Sequence, residues 1–520
     1  MKIRILFVAM LSALILPSCF SDKGNYDYSK DRGVYGQMGS PTVFIGEEIN
    51  LEPIMHYGDL KDTTKVSFKW FIGDSLLVST DRVILFKGVK SGSVSSYLYV
   101  TDDETGIITP TYFIINVVSP YAKGWTLLCN QNGKSEIAHV SQISSQDEEG
   151  EEIIEYKLFT DIYKAQNNDE ELGSEPIKLV EHYQEKTKSF NENELLVIQR
   201  GGQGCVELDG TNLQKVIRIE QEFVNETLPA NFTPNDIIYL SYINFVWNSD
   251  GNLYSRLIEN LTAGFHLSAF SNIPVYIKNG LRVDNILYSA YFSTDFVLLF
   301  DGLNKRLLPY GSYGATTTGD IGELIFTGTY PPNYIPLNNF GDIKLIYGSS
   351  FNDYNSVYGN EADFSMLLYD PATTKYYWQT FHILYKKPIF TVTLPVHNAI
   401  NEFPGTDLIT SNSKFWLLKT RAYLFFTSGV NNDKLYYYDT NKNSIHLYND
   451  FSGKEITSIH PNKGFTELGL GLKDGTFVLF DITDEVFISG QPKVIYSTEG
   501  LGEIVDVIYR YDNKATNHWL

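Results

Sequence analysis

The residue with the most definite chemistry is Cys19, which closes the stretch Leu16-Pro17-Ser18-Cys19. It follows Lys2, Arg4 and an apolar run from Ile5 to Leu16 broken only by Ser12. A basic start, a short apolar centre and a small residue before the cut describe a secretory signal. About a dozen apolar residues fall short of the ~20 that a bilayer-spanning helix needs. Leu-x-small-Cys is the bacterial lipobox, in which the thiol accepts a diacylglyceryl group and a peptidase cuts just before it. Each buried acyl CH₂ contributes ~0.8 kcal/mol, so a multiply acylated end holds firmly. The expectation is that residues 1–18 are removed and Cys19 anchors the chain to a membrane by lipid. The alternative is a plain secretory signal in which Cys19 is incidental.

A second set of candidates is aromatic. GTYPPNYIPLNNFGD (Gly328 to Asp342) places Tyr330 and Tyr334 among prolines, and SSFNDYNSVYGNEADF (Ser349 to Phe364) places Tyr354 and Tyr358 among Asn and Asp. Stiff aromatic faces flanked by amides and carboxylates suit sugar rings or extended peptides. Tyr330, Tyr334, Tyr354 and Tyr358 are therefore the expected ligand-binding residues. The competing expectation is that such tyrosines fill a strand-dense fold.

Catalytic and metal motifs do not emerge. The nine histidines are scattered, with no two at the i, i+4 spacing of a zinc helix. There is no Gly-x-Ser-x-Gly elbow and no phosphate loop. Gly201-Gly202-Gln203-Gly204 reads as a turn, Asn248-Ser249-Asp250-Gly251 as a hairpin, and Asp102-Asp103-Glu104 as a turn rather than a calcium loop. A glycosidase needs only two carboxyl groups about 5–10 Å apart in the fold, and 62 acidic residues leave that open. No catalytic residue, metal ligand or cofactor is assigned. The formal charge of −21 argues against nucleic acid as a partner. Cys129 and Cys205 are too few for a disulfide scaffold and read as two buried thiols or one bridge.

The elements that must carry these residues read as β throughout. Aromatic content is 14%, led by 36 Tyr and 32 Phe, which favours strands. Residues 19–40 lack apolar periodicity and read as a tether. Glu48–Pro53, Val66–Trp70, Tyr97–Val100 and Tyr112–Val118 then read as short strands, with Trp70 central. Residues 41–120 are expected to form an immunoglobulin-type sandwich. Over 121–520 a theme recurs, strand, turn at an Asp, strand, with the turn aspartates at 209, 250, 301, 370, 439 and 474. Asp-Gly at 209, 250, 301 and 474 is a hairpin signal because glycine tolerates positive φ. Blades of about 40–50 residues with insertions would give this texture. The fold class is all-β, with a propeller of seven or eight blades as the large domain and stacked sandwiches as the alternative. Residues 164–190 are polar and read as a short helix or a long surface insertion.

DKGNYDY (Asp22 to Tyr28) after Cys19, the FKW strand, the segment YVTDDETG and the exit SPYAKGW (Ser119 to Trp125) resemble the PKD-like lipoproteins of Bacteroidetes. The resemblance covers about residues 16–126. It implies a lipoprotein of the outer membrane, facing outward, that works beside a SusC/SusD-like nutrient importer, and it implies no catalytic residues. The role expected on that basis is capture or presentation of a glycan or peptide polymer. A surface hydrolase and a non-catalytic scaffold are the alternatives.

Overall fold

The computed structural model describes residues 30–510, apart from 74–75, 90–91, 147–151, 188–189, 241–242, 258–265, 267, 289–295, 312–319, 352–360, 387–388, 396–398, 419–420 and 463. The chain forms two compact units, Met1–Val118 and Ser119–Leu520.

The first unit is a β-sandwich. Its main sheet has the order Thr42–Phe44, Ile108–Val118, Gly92–Asp102, Val66–Ile72, Leu76–Ser79. Two strand pairs join it, Tyr35–Gln37 with Ile54–His56 and Glu48–Leu51 with Ile84–Lys87. The alternation read in the sequence delivers Trp70, Leu98, Val100, Phe113, Ile115 and Val117 to one core with Leu51 and Ile84. Trp70 is fully buried, its ring lies edge-on to Phe113, and its Nε1 donates to the Asp81 carbonyl at 2.7 Å. The expected tether ends earlier than residue 40. Val34 is buried in this core and Tyr35 stacks on His56 at 4.5 Å, so the last turn of that polar stretch belongs to the sandwich. Asp102 is a turn residue, accepting from the Glu104 amide at 3.0 Å, with Arg32 beside it.

The second unit is a propeller of seven sheets among the described residues. Each blade is built on antiparallel strands lettered from A at the axis outward, four in every blade except blade III, which has three among the described residues. Blade I is Glu503–Arg510, Gly124–Gln131, Lys134–Gln146 and Glu152–Phe159. Blade II is Ser174–Thr187, Phe190–Gly201, Val206–Asp209 and Lys215–Arg218. The pair Lys134↔Ser174 alone links these two blades into one ladder. Blade III is Pro234–Tyr239, Ile243–Asn248 and Leu253–Leu257. Blade IV is Val283–Leu287, Phe296–Asp301, Arg306–Gly311 and Asp320–Ile321. Blade V is Lys344–Phe351, Glu361–Asp370, Lys375–Lys386 and Ile389–Thr393. Blade VI is Phe415–Leu418, Tyr423–Ser428, Lys434–Asp439 and Ser444–Asp450. Blade VII is Ile456–Pro461, Glu467–Leu472, Phe477–Asp481 and Lys493–Thr498.

The cores prove the ring. Successive side chains of a strand point to opposite faces, so each blade can bury one set against each neighbour. In blade II, Leu195 and Val197 join Leu128, Ile137 and Ile508 of blade I, while Leu196 and Ile198 join Ile237 and Val246 of blade III. The alternation continues through Ile238 with Leu299, Leu298 with Phe364, Leu367 with Leu424, and Phe425 with Leu470. The circle closes where Phe477 and Leu479 of blade VII meet Leu127, Val140 and Val507 of blade I. Stacked sandwiches would not share cores in a closed circuit, so that alternative is excluded.

Several local expectations change. Asp250, Asp301, Asp370 and Asp474 lie at B–C turns, but Asp209 and Asp439 lie at C–D turns, and this mixture together with the long connection from Ile321 to Lys344 makes their spacing uneven. Gly251 and Gly475 do adopt φ of 86°. Gly210 does not; a Cβ there would meet the Asn193 carbonyl oxygen at 2.2 Å, so close approach selects that glycine. The polar run 164–190 is no surface insertion. After the short helix Ile162–Gln166 it becomes the innermost strand of blade II. Cys129 and Cys205 are separate buried thiols, and burial pushes them up to about 12 and about 11.

Candidate functional site

The innermost strands carry polar and aromatic side chains that an ordinary core would exclude. They join neighbouring blades in a continuous girdle around the axis. Asp236 of blade III takes hydrogen bonds from Lys178 of blade II and from the Tyr288 hydroxyl beyond the first strand of blade IV. Lys178 Nζ also lies 5.9 Å from the Tyr288 ring centre. Asp506 of blade I accepts from the Leu179 amide at 2.9 Å and from Ser458 Oγ of blade VII at 3.0 Å. Across blades VI and VII, Trp416 packs on His460 with ring centres 4.3 Å apart. The Leu417 amide donates to the Tyr347 hydroxyl of blade V at 3.0 Å, and the Ser350 amide donates to the Tyr288 carbonyl at 3.1 Å.

These side chains are half-buried: Lys178, Tyr288, Tyr347, Trp416, His460 and Asp506 all keep some surface, with the Lys178 side chain 40% exposed. Strands at the hub of a ring meet solvent along the axis, so this surface is offered there. Burial would lower the Lys178 ammonium, but the Asp236 carboxylate outweighs it and holds the group above its usual value. Burial pushes Tyr288 well up, reinforced by Asp236, and pushes Asp506 up against the opposing Leu179 amide and Lys178 charge. Burial lowers His460 to about 4, so near neutral pH its ring is uncharged. Its Nδ1 lies 2.7 Å from the Pro461 carbonyl and donates to it, leaving Nε2 as an acceptor. The girdle thus presents a fixed cation, carboxylates, an uncharged imidazole, phenols and an indole face. Ser458 donates to Asp506, an arrangement that orients a carboxylate and does not make a serine nucleophile.

The residues expected from sequence fall elsewhere. Cys19, Tyr354 and Tyr358 lie outside the described residues. Tyr334 is buried, 5% exposed, and its hydroxyl donates to the Thr380 carbonyl at 3.2 Å. Its ring stacks on Tyr330 at 5.3 Å and 8°, and Tyr330 stacks on Phe326 at 4.4 Å. The column packs into the core between blades IV and V. Tyr334 therefore presents no face to a ligand, which corrects its assignment, and Tyr330 is half-covered by the same column. The girdle residues were missed because no two belong to one motif. The available signal was a charged residue inside an apolar strand, as in PNDIIY (Pro234–Tyr239) and EIVDVIYR (Glu503–Arg510).

Residues 19–176 match the PKD-like family. The match runs through the first unit and the three outer strands of blade I, and stops as the first strand of blade II begins. No curated protein shows a significant sequence match to the chain. Solved structures similar to it include a quinonprotein alcohol dehydrogenase-like protein from Bacteroides thetaiotaomicron, at 13% identity and TM-score 0.40, covering 92% of this chain and 97% of that one. The C-terminal WD40 domain of Sif2 aligns at 11% identity and TM-score 0.34, covering 75% and 96%. The dihydro-heme d1 dehydrogenase NirN aligns at 11% identity and TM-score 0.37, covering 88% and 77%. Similarity this remote carries no residue-level correspondence.

Proposed function

We propose that this chain is a lipid-anchored protein of the bacterial outer membrane whose propeller captures a glycan or peptide polymer at the axial girdle and presents it to a SusC/SusD-like importer. The observation that carries the binding role is the girdle itself. Aromatic surface from Tyr288, Tyr347, Trp416 and His460 lies beside the charges of Lys178, Asp236 and Asp506, on strands rather than loops. Aromatic area with a few fixed polar groups is the usual make-up of a site for polar organic ligands. Rigid positioning also reduces the ordering cost of binding. The lipobox at Leu16–Cys19 and the PKD-like match support the envelope setting.

The test is a screen of glycan and peptide fragments against protein lacking residues 1–19, followed by titration of the best binder. Trp416→Ala and His460→Ala should each weaken binding about tenfold or more, a loss of ~1.4 kcal/mol. Binding that survives both changes in folded protein would remove the girdle from the site. Turnover of the polymer by the wild-type protein would replace the capture role with the hydrolase alternative.

A further inference from the structure

We propose that Glu194, Glu207 and His266 form a binding site for a divalent first-row transition ion, held between two strands of blade II and the His266 side chain. Glu194 and Glu207 lie on neighbouring strands of blade II, Phe190–Gly201 and Val206–Asp209. One ligand atom from each, together with one from His266, can be chosen so that all lie within 4.8 Å of one another. His266 Nε2 is 3.0 Å from Glu194 Oε2 and 3.8 Å from Glu207 Oε2. Ligands about 2.1 Å from a tetrahedral zinc ion stand roughly 3.4 Å apart, and the two observed separations bracket that value.

Two further observations point to a cation. The Glu207 side chain is fully buried, and its Oε2 accepts no hydrogen bond; Glu194 meets His266 Nε2 through Oε1 at 3.1 Å, and its buried Oε2, 3.0 Å from the same nitrogen, accepts no hydrogen bond. Buried carboxylate oxygens without donors are costly, and a cation placed between them would satisfy both. The surroundings also orient the ligands as a metal site requires. His266 Nδ1 lies 2.8 Å from Glu222 Oε1 and donates to it, which turns Nε2 toward Glu194 and Glu207; without the ion Nε2 donates to Glu194 Oε1 at 3.1 Å, and a bound ion would take the place of that proton. Carboxylate–histidine–metal relays are built this way. Glu222 is fixed in turn by the buried Arg256, whose guanidinium lies 4.3 Å over the Phe270 ring. The Tyr239 hydroxyl donates to Glu207 Oε1 at 2.8 Å, leaving Oε2 for the ion.

Donor type narrows the ion. Two carboxylates and one imidazole suit Zn²⁺, Mn²⁺ or Fe²⁺, whereas Ca²⁺ takes six to eight oxygens. The His266 side chain is 23% exposed, which gives the ion a way in and leaves room for water as a remaining ligand. The ion would fasten His266 to blade II.

The experiment uses chelator-treated protein titrated with ZnCl₂ by calorimetry, with Co²⁺ absorption as an independent reading of ligand geometry. One ion per chain is expected, with a rise in melting temperature. Glu207→Gln and His266→Gln should each weaken Zn²⁺ binding at least about 100-fold, since even outer partners of metal ligands are worth 10–100-fold. Tyr239→Phe should weaken it about tenfold. Circular dichroism establishes that each variant is folded, and wild-type stoichiometry with the Co²⁺ spectrum decides the matter if Glu207→Gln fails to fold. Absence of stoichiometric binding by wild type, or undiminished binding in either ligand variant, overturns the site. Wild type that binds no ion, with Glu207→Gln more stable than wild type, would mean that a proton rather than a metal sits between the carboxylates.

Discussion

Replacing Arg510 with Met should loosen the ring at its closure. Arg510 is fully buried at the end of the strand that completes blade I. Its guanidinium donates to the Tyr121 carbonyl at 2.9 Å, to the Gly210 carbonyl at 2.6 Å and to Asn193 Oδ1 at 3.3 Å. Glu181 Oε1 lies 3.6 Å from Nε. Three of these partners, Glu181, Asn193 and Gly210, belong to blade II, so the side chain bolts blade I to its neighbour. Burial costs the cation dearly, and its pKa is lowered in spite of Glu181. Methionine removes that cost but strands the acceptors where water does not reach. Each unsatisfied buried acceptor costs ~1–3 kcal/mol, and breaking a buried ionic group by removing one partner costs ~3–5 kcal/mol. The net expectation is a loss of about 4 kcal/mol. At roughly 1–2 °C per kcal/mol for a unit of this size, extrapolated from smaller domains, the melting point should fall about 4–8 °C. Hydrogen exchange should rise in Glu503–Arg510 and its partner Gly124–Gln131. Lys493→Met is the control: its ion pair with Asp481 is exposed and worth at most ~1 kcal/mol. If Arg510→Met melts like that control and the strand stays protected, the apolar seam between blades VII and I closes the ring unaided, and the bolt is superfluous.

Acid should destabilise the propeller through two buried imidazoles. Burial lowers His139 to about 3 and His460 to about 4, against ~6.5 when unfolded. Below pH ~6.5 the unfolded chain takes up protons that the fold refuses, so stability present above that pH is lost toward pH 4, by ~1.4 kcal/mol per pH unit and histidine. Asp506, raised by burial, blunts the slope. His139→Gln should flatten the acid limb of urea denaturation; an unchanged limb would refute the assignment. Trp70→Ala should cost the sandwich ~3–5 kcal/mol, read by urea unfolding of a fragment of residues 30–118; a smaller cost would mean that the site collapses around the gap. Tyr334→Ala should lower the propeller's melting point by a comparable free energy without a selective effect on binding, as expected of a core residue. Cys19→Ser should abolish detergent-phase partitioning of the full chain, and wild-type partitioning by the mutant would sink the lipid anchor.

The parts of this fold that sequence reveals are those governed by near neighbours. Alternation in FKW and in the long strand ending YVTD gives the sandwich, because burial of every second residue is a local pattern. Turn aspartates mark hairpins because each accepts from amides two or three residues on, as Asp301 does from Leu303 and Asn304. What fails is inference from polarity. SEPIKLVEHYQEKT (Ser174–Thr187) looks like a surface segment, yet it lines the hub, where one edge of the strand meets the axis and Lys178 finds Asp236. The Tyr330–Tyr334 column fails in the opposite sense, since a proline-rich stretch that suggests an exposed loop places its rings against the core. The girdle itself draws Lys178, Asp236, Tyr288, Trp416, His460 and Asp506 from six blades. Ring closure makes them neighbours, and no local spacing encodes that.

The closing strand has a consequence for how the molecule is made. Gly124 pairs with Arg510 across roughly 390 residues, a separation that places the last ladder among the slowest contacts to form. Synthesis delivers the outer strands of blade I first and their innermost partner last. Until then Trp125, Leu127 and Cys129 have no partner strand on that side, and a β-edge of eight residues lies open to pairing with other chains. A nascent chain would carry this open edge throughout synthesis of the other six blades. Holdase chaperones should therefore select for this protein strongly, and loss of even the final strand should yield aggregates rather than a shorter propeller.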